Sequence, residues 1–389
     1  MITVVEALEI LNNIAICKNE IVLPLHLSKN YVLAEEVYSP INMPPFRQSA
    51  MDGYAIHLNK ENCYKIIGEI KAGDAVNIKL DEGQAVKIFT GAKVPNDANA
   101  VIQIEKCSVK EQLLFLENEP KINQNIRPIG EQIQINEVAL KKDTILNSAA
   151  IGFLAGLGIT EVKVYKKPSV GIIVTGNELI QPGNPLTEGK VYESNGIMLQ
   201  TAISDLTDDI TVYKVFDEYQ ATKQIIEDAI ALHDVLLISG GISVGDYDFV
   251  YESLQEIGVE TLFYKVNQKP GKPLFAGKFQ DKIIFALPGN PAASLTCYHV
   301  YVAPILQKIS GNSYSKKILS QKQLAHDLTI NNTRSQFLKA TFIDEFVTEL
   351  SHQQSSMLNT FALANCLIYL PEGNYELKKG SKVDIYHII

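Results

Sequence analysis

Residues 166–180 read KKPSVGIIVTGNELI, and this stretch decides the fold of the chain's centre. Two lysines and a proline close whatever precedes, and the apolar run Val170–Val174 then leads straight into Thr175-Gly176-Asn177-Glu178. An apolar run this short, without polar alternation and bounded by Pro and Gly, predicts a strand buried on both faces. Further strand-like runs follow at Ile210–Phe216, Val235–Ile238 and Ile283–Leu287, with helix-length segments near 195–206, 221–232, 248–257 and 292–309. Strands alternating with helices predict a parallel α/β sheet over residues 169–311, whose ligand site lies at the carboxyl ends of its strands.

Outward from this centre the patterning changes. At the N-terminus, Thr3 and Glu6 have capping-box spacing before Leu8, Leu11 and Ile14, which predicts an amphipathic helix rather than a signal peptide. After Pro44-Pro45, residues 46–137 carry short alternating runs such as Val86–Phe89 and Ala100–Glu105, separated by Gly, Asn, Asp and Pro, and read as a small β domain. Ser148 as N-cap begins a helix to Leu157 that Gly158 stops. Residues 312–389 return to β patterning: after a Gly373-Asn374 turn signal, Lys382, Asp384 and Tyr386 alternate with Val383, Ile385 and His387. The regions are thus 1–45 with 138–168, 46–137, 169–311 and 312–389, and no internal repeat is found.

Composition bounds the function. A chain of 389 residues, 46% hydrophobic and 20% charged, is long enough for two to four globular domains. Its net charge of −9, with no basic block, makes a nucleic-acid surface unexpected, because nothing would neutralise a row of phosphates. The five cysteines, Cys17, Cys63, Cys107, Cys297 and Cys366, are scattered and suggest neither a disulfide framework nor a zinc knuckle, so a reducing compartment fits. The apolar stretch Ala149–Ile159 is about half the roughly 20 residues a spanning helix needs, so no membrane span and a cytoplasmic location are expected.

The chemistry resides in the strand-end loops. Thr175-Gly176-Asn177-Glu178, Asp217-Glu218, Ser239-Gly240-Gly241 through Gly245-Asp246-Tyr247-Asp248, and Leu287-Pro288-Gly289-Asn290-Pro291 should converge on one sheet edge. Glycines let backbone N–H groups approach an oxyanion, and Asn290 as N-cap with Pro291 at the first helical position opens a helix whose positive end favours an anion. Glu178, Asp217 and Asp248 would repel a bare phosphate, and they make sense around a hard cation such as Mg²⁺. Lys269-Pro270-Gly271-Lys272-Pro273 holds two ammonium groups close together, suited to an oxyanion. Any one such loop is most often a mere connection; four at one edge, with two lysines and three acids, describe a site for a polyanionic, metal-dependent ligand. Gly241-Ile242-Ser243-Val244-Gly245 also matches a hydrolase nucleophile elbow, but that elbow needs the serine at the strand end with a helix directly after it, and here the strand ends near Ser239.

Taken together with Asp52-Gly53-Tyr54-Ala55, Thr90-Gly91-Ala92 and Ser194-Asn195, these loops resemble the molybdopterin molybdenumtransferase family, the bacterial MoeA and gephyrin E-domain group, over essentially the whole chain. The resemblance implies a multidomain α/β plus β fold: an N-terminal linking region (1–45 and 138–168), an inserted β domain, a molybdopterin-binding α/β domain and a C-terminal β-barrel-like domain. It implies a Mg²⁺-dependent reaction in which adenylylated molybdopterin and molybdate give molybdenum cofactor and AMP. Asp52, Thr90, Asp217, Asp248, Lys269 and Lys272 would be catalytic, with Glu178, Asp217 and Asp248 holding the metal. Substrate binding would fall to Thr175, Gly176, Ser194, Asn195, Ser239, Gly240, Gly241, Gly245, Pro288, Gly289, Asn290, Pro291, Lys339 and Ser355. In the family the Asp52 and Thr90 motifs face the partner subunit's α/β domain, so a homodimer with composite sites is implied, with a molybdopterin adenylyltransferase and recipient molybdoenzymes as further partners.

The chain departs from the family pattern at several places. Gln132 stands where an aspartate is common, Lys339 where arginine is common, and Asn177 beside Glu178 at an acidic position; the hydroxyl after Asn290-Pro291 is shifted to Ser294, and the glycine often found before Ser355 is absent. An amide at 132 cannot act as a base. Gln132 and Lys339 motivate one alternative to the transferase, a non-catalytic molybdopterin-binding or scaffold paralogue; the resemblance of the α/β domain alone to molybdopterin adenylyltransferase gives another, an adenylyl-transfer activity, against which chain length argues because that step needs no inserted β domain.

Overall fold

A computed structural model describes residues 1–74, 78–242, 249–312 and 319–388, in two compact units: Met1–Ile21 with Val164–Ile389, and Val22–Lys163. The first unit begins with the helix Val4–Asn13. Its capping box is present, with Glu6 N–H donating to Thr3 Oγ1 at 3.2 Å and Thr3 N–H to Glu6 Oε2 at 2.7 Å. The buried residues Val4, Ala7 and Leu11 recur at helical spacing and share one core with the central sheet.

That sheet has the strand order 210–215, 170–175, 235–239, 282–287, 275–279, 260–264. Its first four strands are parallel, and Val170–Thr175 and Val235–Ser239 are buried at every residue, as coverage of both faces requires. Thr175 pairs with Val215, Val174 with Ser239, and Ser239 with Leu287, so the loops that follow leave from one edge. Two further strands, Phe275–Phe279 and Glu260–Tyr264, make the sheet mixed, because Phe275–Phe279 runs antiparallel to both its neighbours. Alternation of strands and helices does not announce this hairpin, whose turn uses Gln280 at φ 56° where a Gly or Asn would have signalled it.

Helices form at Asn195–Ser204, Tyr219–Leu232 and Phe249–Ile257. The single helix expected over 292–309 is instead Pro291–Cys297, a wider π turn Tyr298–Val302, and Ala303–Ile309. Pro304, in the first turn of the last segment, has no N–H to continue the α-helical ladder.

In the C-terminal region, Ser335–Ile343, Phe346–Glu349, Leu319–Leu324, Lys382–His387 and Cys366–Leu370 pair in that order and close into a barrel, because the first also pairs with the last. Val383 and Ile385 point into its core. Gly373 and Asn374 do not form a turn between adjacent strands; they open the strand Gly373–Leu377, which pairs with Leu328–Asn332. The two-residue strand Gln268–Lys269 runs parallel to Ser335 and Gln336, joining the lysine turn to the barrel.

The second unit holds a six-stranded sheet in the order 100–103, 53–56, 84–88, 63–70, 113–116, 107–110. Its helix Ser148–Gly156 is capped by Asn147, whose Oδ1 accepts from Ala150 N–H at 2.9 Å, one residue before the expected Ser148. Asparagine at 147 already supplies the cap oxygen, so Ser148 falls inside the first turn.

Candidate functional site

A cleft of about 870 Å³ opens at the carboxyl edge of the central sheet. Its floor is made by the expected loops: Thr175, Gly176 and Glu178 after the first strand, Asp217 after the second, Ser239, Gly240 and Gly241 after the third, and Pro288 to Pro291 after the fourth. Gly240 has φ +95°, and a β-carbon there would lie 2.8 Å from Thr175 Oγ1, so only glycine lets these two loops touch.

Asn195 ties the floor together. Its Nδ2 donates to Ser239 Oγ and to Gly289 O, both at 2.8 Å. Its Oδ1 and the hydroxyl of Thr175 are buried with no partner among the described residues, and both residues line the cleft. An unpaired buried polar group costs about 1–3 kcal/mol, a cost a polar ligand removes. A second tie joins two loops reciprocally: Asn177 N–H donates to Asp217 Oδ2 at 3.0 Å and Asp217 N–H to Asn177 Oδ1 at 3.1 Å. Asparagine at 177 thus serves as a loop fastener, a role an acidic side chain accepting from the same N–H would also fill. Ser194 lines the cleft but makes no capping bond; Glu193, buried beside it, accepts from Gly196 N–H at 2.7 Å.

The rest of the lining carries the positive charge. Lys269 and Lys272 line the cleft from their turn, and Arg334, immediately before the strand Ser335–Ile343, joins them. The barrel adds Gln353 and Ser355. Asn290 stands at the N-cap position, yet its Nδ2 donates to Ser355 Oγ at 3.0 Å instead of its side chain capping the helix, and Ala292 N–H donates to Ser355 O at 3.1 Å.

Lys339 is not brought to the cleft. It is 4% exposed, and its ammonium donates to the carbonyls of His352 (2.9 Å), Gln354 (3.2 Å) and Met357 (3.0 Å). Its backbone exchanges hydrogen bonds with the Gln353 amide, at 2.9 and 2.8 Å. Burial pulls the ammonium below the usual lysine pKa. Lys339 therefore clasps the loop that carries Gln353 and Ser355. A lysine ammonium, with three donors around one nitrogen, suits three converging carbonyls.

Gly245, Asp248 and Ser243 lie outside the described residues. The strand Val235–Ser239 ends four residues before Ser243, which removes the strand-end placement that a nucleophile elbow requires. In the second unit, Asp52 Oδ1 accepts both the N–H and the hydroxyl of Thr90, each at 2.7 Å. These bonds, the hydroxyl first, hold the Asp52 carboxyl below the usual aspartate range. Gln132 is exposed, and its N–H donates to Met43 O at 2.9 Å.

Among the described residues no group of three His, Cys, Asp or Glu side chains gathers to hold a metal ion. Glu178 and Asp217 nevertheless face the same cleft as the cations, and a magnesium ion characteristically takes only one or two protein carboxylates plus substrate phosphates, so this donor set fits it. Sequence patterning missed Glu193, Gln268, Arg334 and Gln353. Arg334 and Gln353 belong to no strand-end loop, and only barrel closure brings them to the cleft.

Among the described residues no helix is long and apolar enough to cross a membrane. Three family models match the chain in succession: the MoeA N-terminal region (domains I and II) over residues 2–158, a probable molybdopterin binding domain over 171–308, and the MoeA C-terminal region (domain IV) over 321–388. A molybdopterin molybdenumtransferase from Staphylococcus aureus (strain COL) is 32% identical over 397 residues, covering 99% of this chain and 95% of the relative. One from Staphylococcus epidermidis is 32% identical over 371 residues, covering 92% and 88%. A solved structure of the molybdopterin biosynthesis MoeA protein from Pyrococcus horikoshii superposes with a TM-score of 0.83 at 28% identity, covering all of both chains. With a matching fold, a full-length relationship and the strand-end cleft in agreement, the chain belongs to the MoeA family of molybdopterin molybdenumtransferases.

Proposed function

We propose that the chain is the enzyme of molybdenum cofactor biosynthesis that inserts molybdenum from molybdate into adenylylated molybdopterin, releasing AMP. The observation that carries this reading is the gathering along one cleft of three cations, Lys269, Lys272 and Arg334, with the strand-end loops of Thr175, Asn195, Ser239 and the glycines. A substrate with phosphate and molybdate oxyanions at one end and a polar heterocycle at the other needs both halves. Lys269, Lys272 and Arg334 bind the oxyanions and stabilise negative charge that grows as the bond to AMP breaks. Thr175, Asn195 and Ser239 orient the heterocycle, the glycine loops admit it closely, and Ser355 with Asn290 closes the far wall. Glu178 and Asp217, with Asp248, are the residues that would hold magnesium, whose contribution when bound is to neutralise phosphate charge.

In this reading the division into a linking region, an inserted β domain, an α/β domain and a C-terminal β domain follows the boundaries at 46–137, 169–311 and 312–389. The Asp52–Thr90 pair of one protomer completes the cleft of its partner in a cytoplasmic homodimer. The test is AMP release from adenylylated molybdopterin by the purified protein with Mg²⁺, with and without molybdate. Molybdate-dependent release is expected. Tight binding without release overturns the catalytic reading in favour of a binding paralogue, for which Gln132 supplies the motive.

A further inference from the structure

Gln268 belongs to no motif read from the sequence, yet it is completely buried at the base of the lysine turn. Its Nε2 donates to Pro270 O and to Gly271 O, both at 3.1 Å, and lies 3.5 Å from Cys297 Sγ. The two carbonyls can only accept, so the amide nitrogen must face them. The amide oxygen is thereby turned to the Tyr301 hydroxyl, which must donate to it. Tyr301 is itself fully buried, in the π turn Tyr298–Val302. The turn is pressed against this amide: Gly271 has φ +87°, and a β-carbon there would lie 2.6 Å from Cys297 Sγ and 2.9 Å from Gln268 Nε2.

We propose that Gln268 is a positioning residue for the oxyanion end of the cleft: held in one orientation by Tyr301, it fixes the carbonyls between Lys269 and Lys272 and so sets both ammonium groups. The proposal rests on the reading of the cleft as the substrate site. Two constraints act on the same few residues. Backbone pairing of Gln268 with Ser335 and of Lys269 with Gln336 fixes the approach to the turn, beside Arg334. The Gln268 side chain holds the turn at Pro270 and Gly271, just before Lys272, whose own carbonyl accepts from Val266 N–H at 3.1 Å. An apolar side chain of the same volume would fill the space equally well. What the amide adds is direction, since fully satisfied buried polar networks specify one arrangement.

The test is a double-mutant cycle on molybdate-dependent turnover. Gln268→Met preserves volume and should lower kcat about tenfold, as sub-ångström misplacement of charged groups does. Tyr301→Phe leaves Gln268 in place but removes the partner of its amide oxygen, and should lower kcat about threefold with the melting temperature down by only a few degrees, which keeps the question open to test if Gln268→Met fails to fold. In a Lys269→Ala, Lys272→Ala background, both effects should shrink to less than about twofold, because the groups being positioned are gone. Equal losses in both backgrounds, or no loss from either variant, would overturn the positioning role. If Lys272→Ala is itself fully active, the reading of the cleft fails instead, and the two failures are thereby told apart.

Discussion

The two walls of the cleft are built on different principles. The floor is local: four parallel strands end in register, Val170–Thr175 and Val235–Ser239 among them buried throughout, and each loop begins within a residue or two of a strand end. The other wall is assembled from distant pieces, namely the turn 269–273, Arg334, and Gln353 with Ser355. It is held by three single-residue fasteners, Gln268 under the turn, Lys339 under the loop 352–357, and Asn290 across to Ser355. Rigidity comes with the sheet on one side and must be supplied by buried polar side chains on the other. The floor should therefore tolerate loss of a single hydrogen bond, whereas the fastened wall should not.

The strongest challenge to this contrast is removal of a cation. Lys272→Ala should lower kcat/KM by about 10²–10³ with little change in melting temperature, since an oxyanion contact is lost and no core is disturbed. Near-normal turnover by a folded variant would take the fastened wall out of the chemistry. Arg334→Lys keeps the charge but loses the planar fork, and about a tenfold loss is expected; an equal loss from Arg334→Lys and Arg334→Ala would show that geometry alone matters. Lys339→Met should raise KM several-fold, roughly threefold to tenfold, with kcat changed less, because Ser355 and Gln353 drift while the lysine turn stays. Faster amide exchange confined to 350–357 is the accompanying signature, and unchanged exchange there would contradict the clasp. Thr175→Val, on the sheet-backed floor, should cost only a few-fold in KM, about 1 kcal/mol, and a loss as large as that of Lys272→Ala would erase the distinction between the walls.

The smallest effect concerns the second unit. Thr90 holds the Asp52 carboxyl below its ordinary value, so the stabilisation from this contact is present above the unfolded aspartate pKa and fades as pH falls through the lowered folded value. Thr90→Val should return the Asp52 titration toward the ordinary aspartate range in an NMR pH series. An unchanged midpoint would show that the pair is not formed in solution.

The central sheet was readable because its signals are short-range: apolar runs without alternation, then Gly, Asn or Pro within two residues. Thr3 with Glu6, and Gly158 at φ +82°, were readable for the same reason. The Gln280 hairpin was not, because a turn made without glycine leaves no mark, and Gln268, Arg334 and Gln353 were not, because nothing in their neighbours distinguishes them from ordinary polar residues. Lys339 was legible as a charge that matters but not in its direction: burial under three carbonyls, rather than exposure to an anion, follows only from closure of the barrel. By itself the sequence determined the α/β centre, the convergence of its loops and the family. Only the tertiary structure decided which distant side chains complete the cleft, because a buried lysine or glutamine is defined by the carbonyls that surround it, and those come from chain segments that meet only on folding.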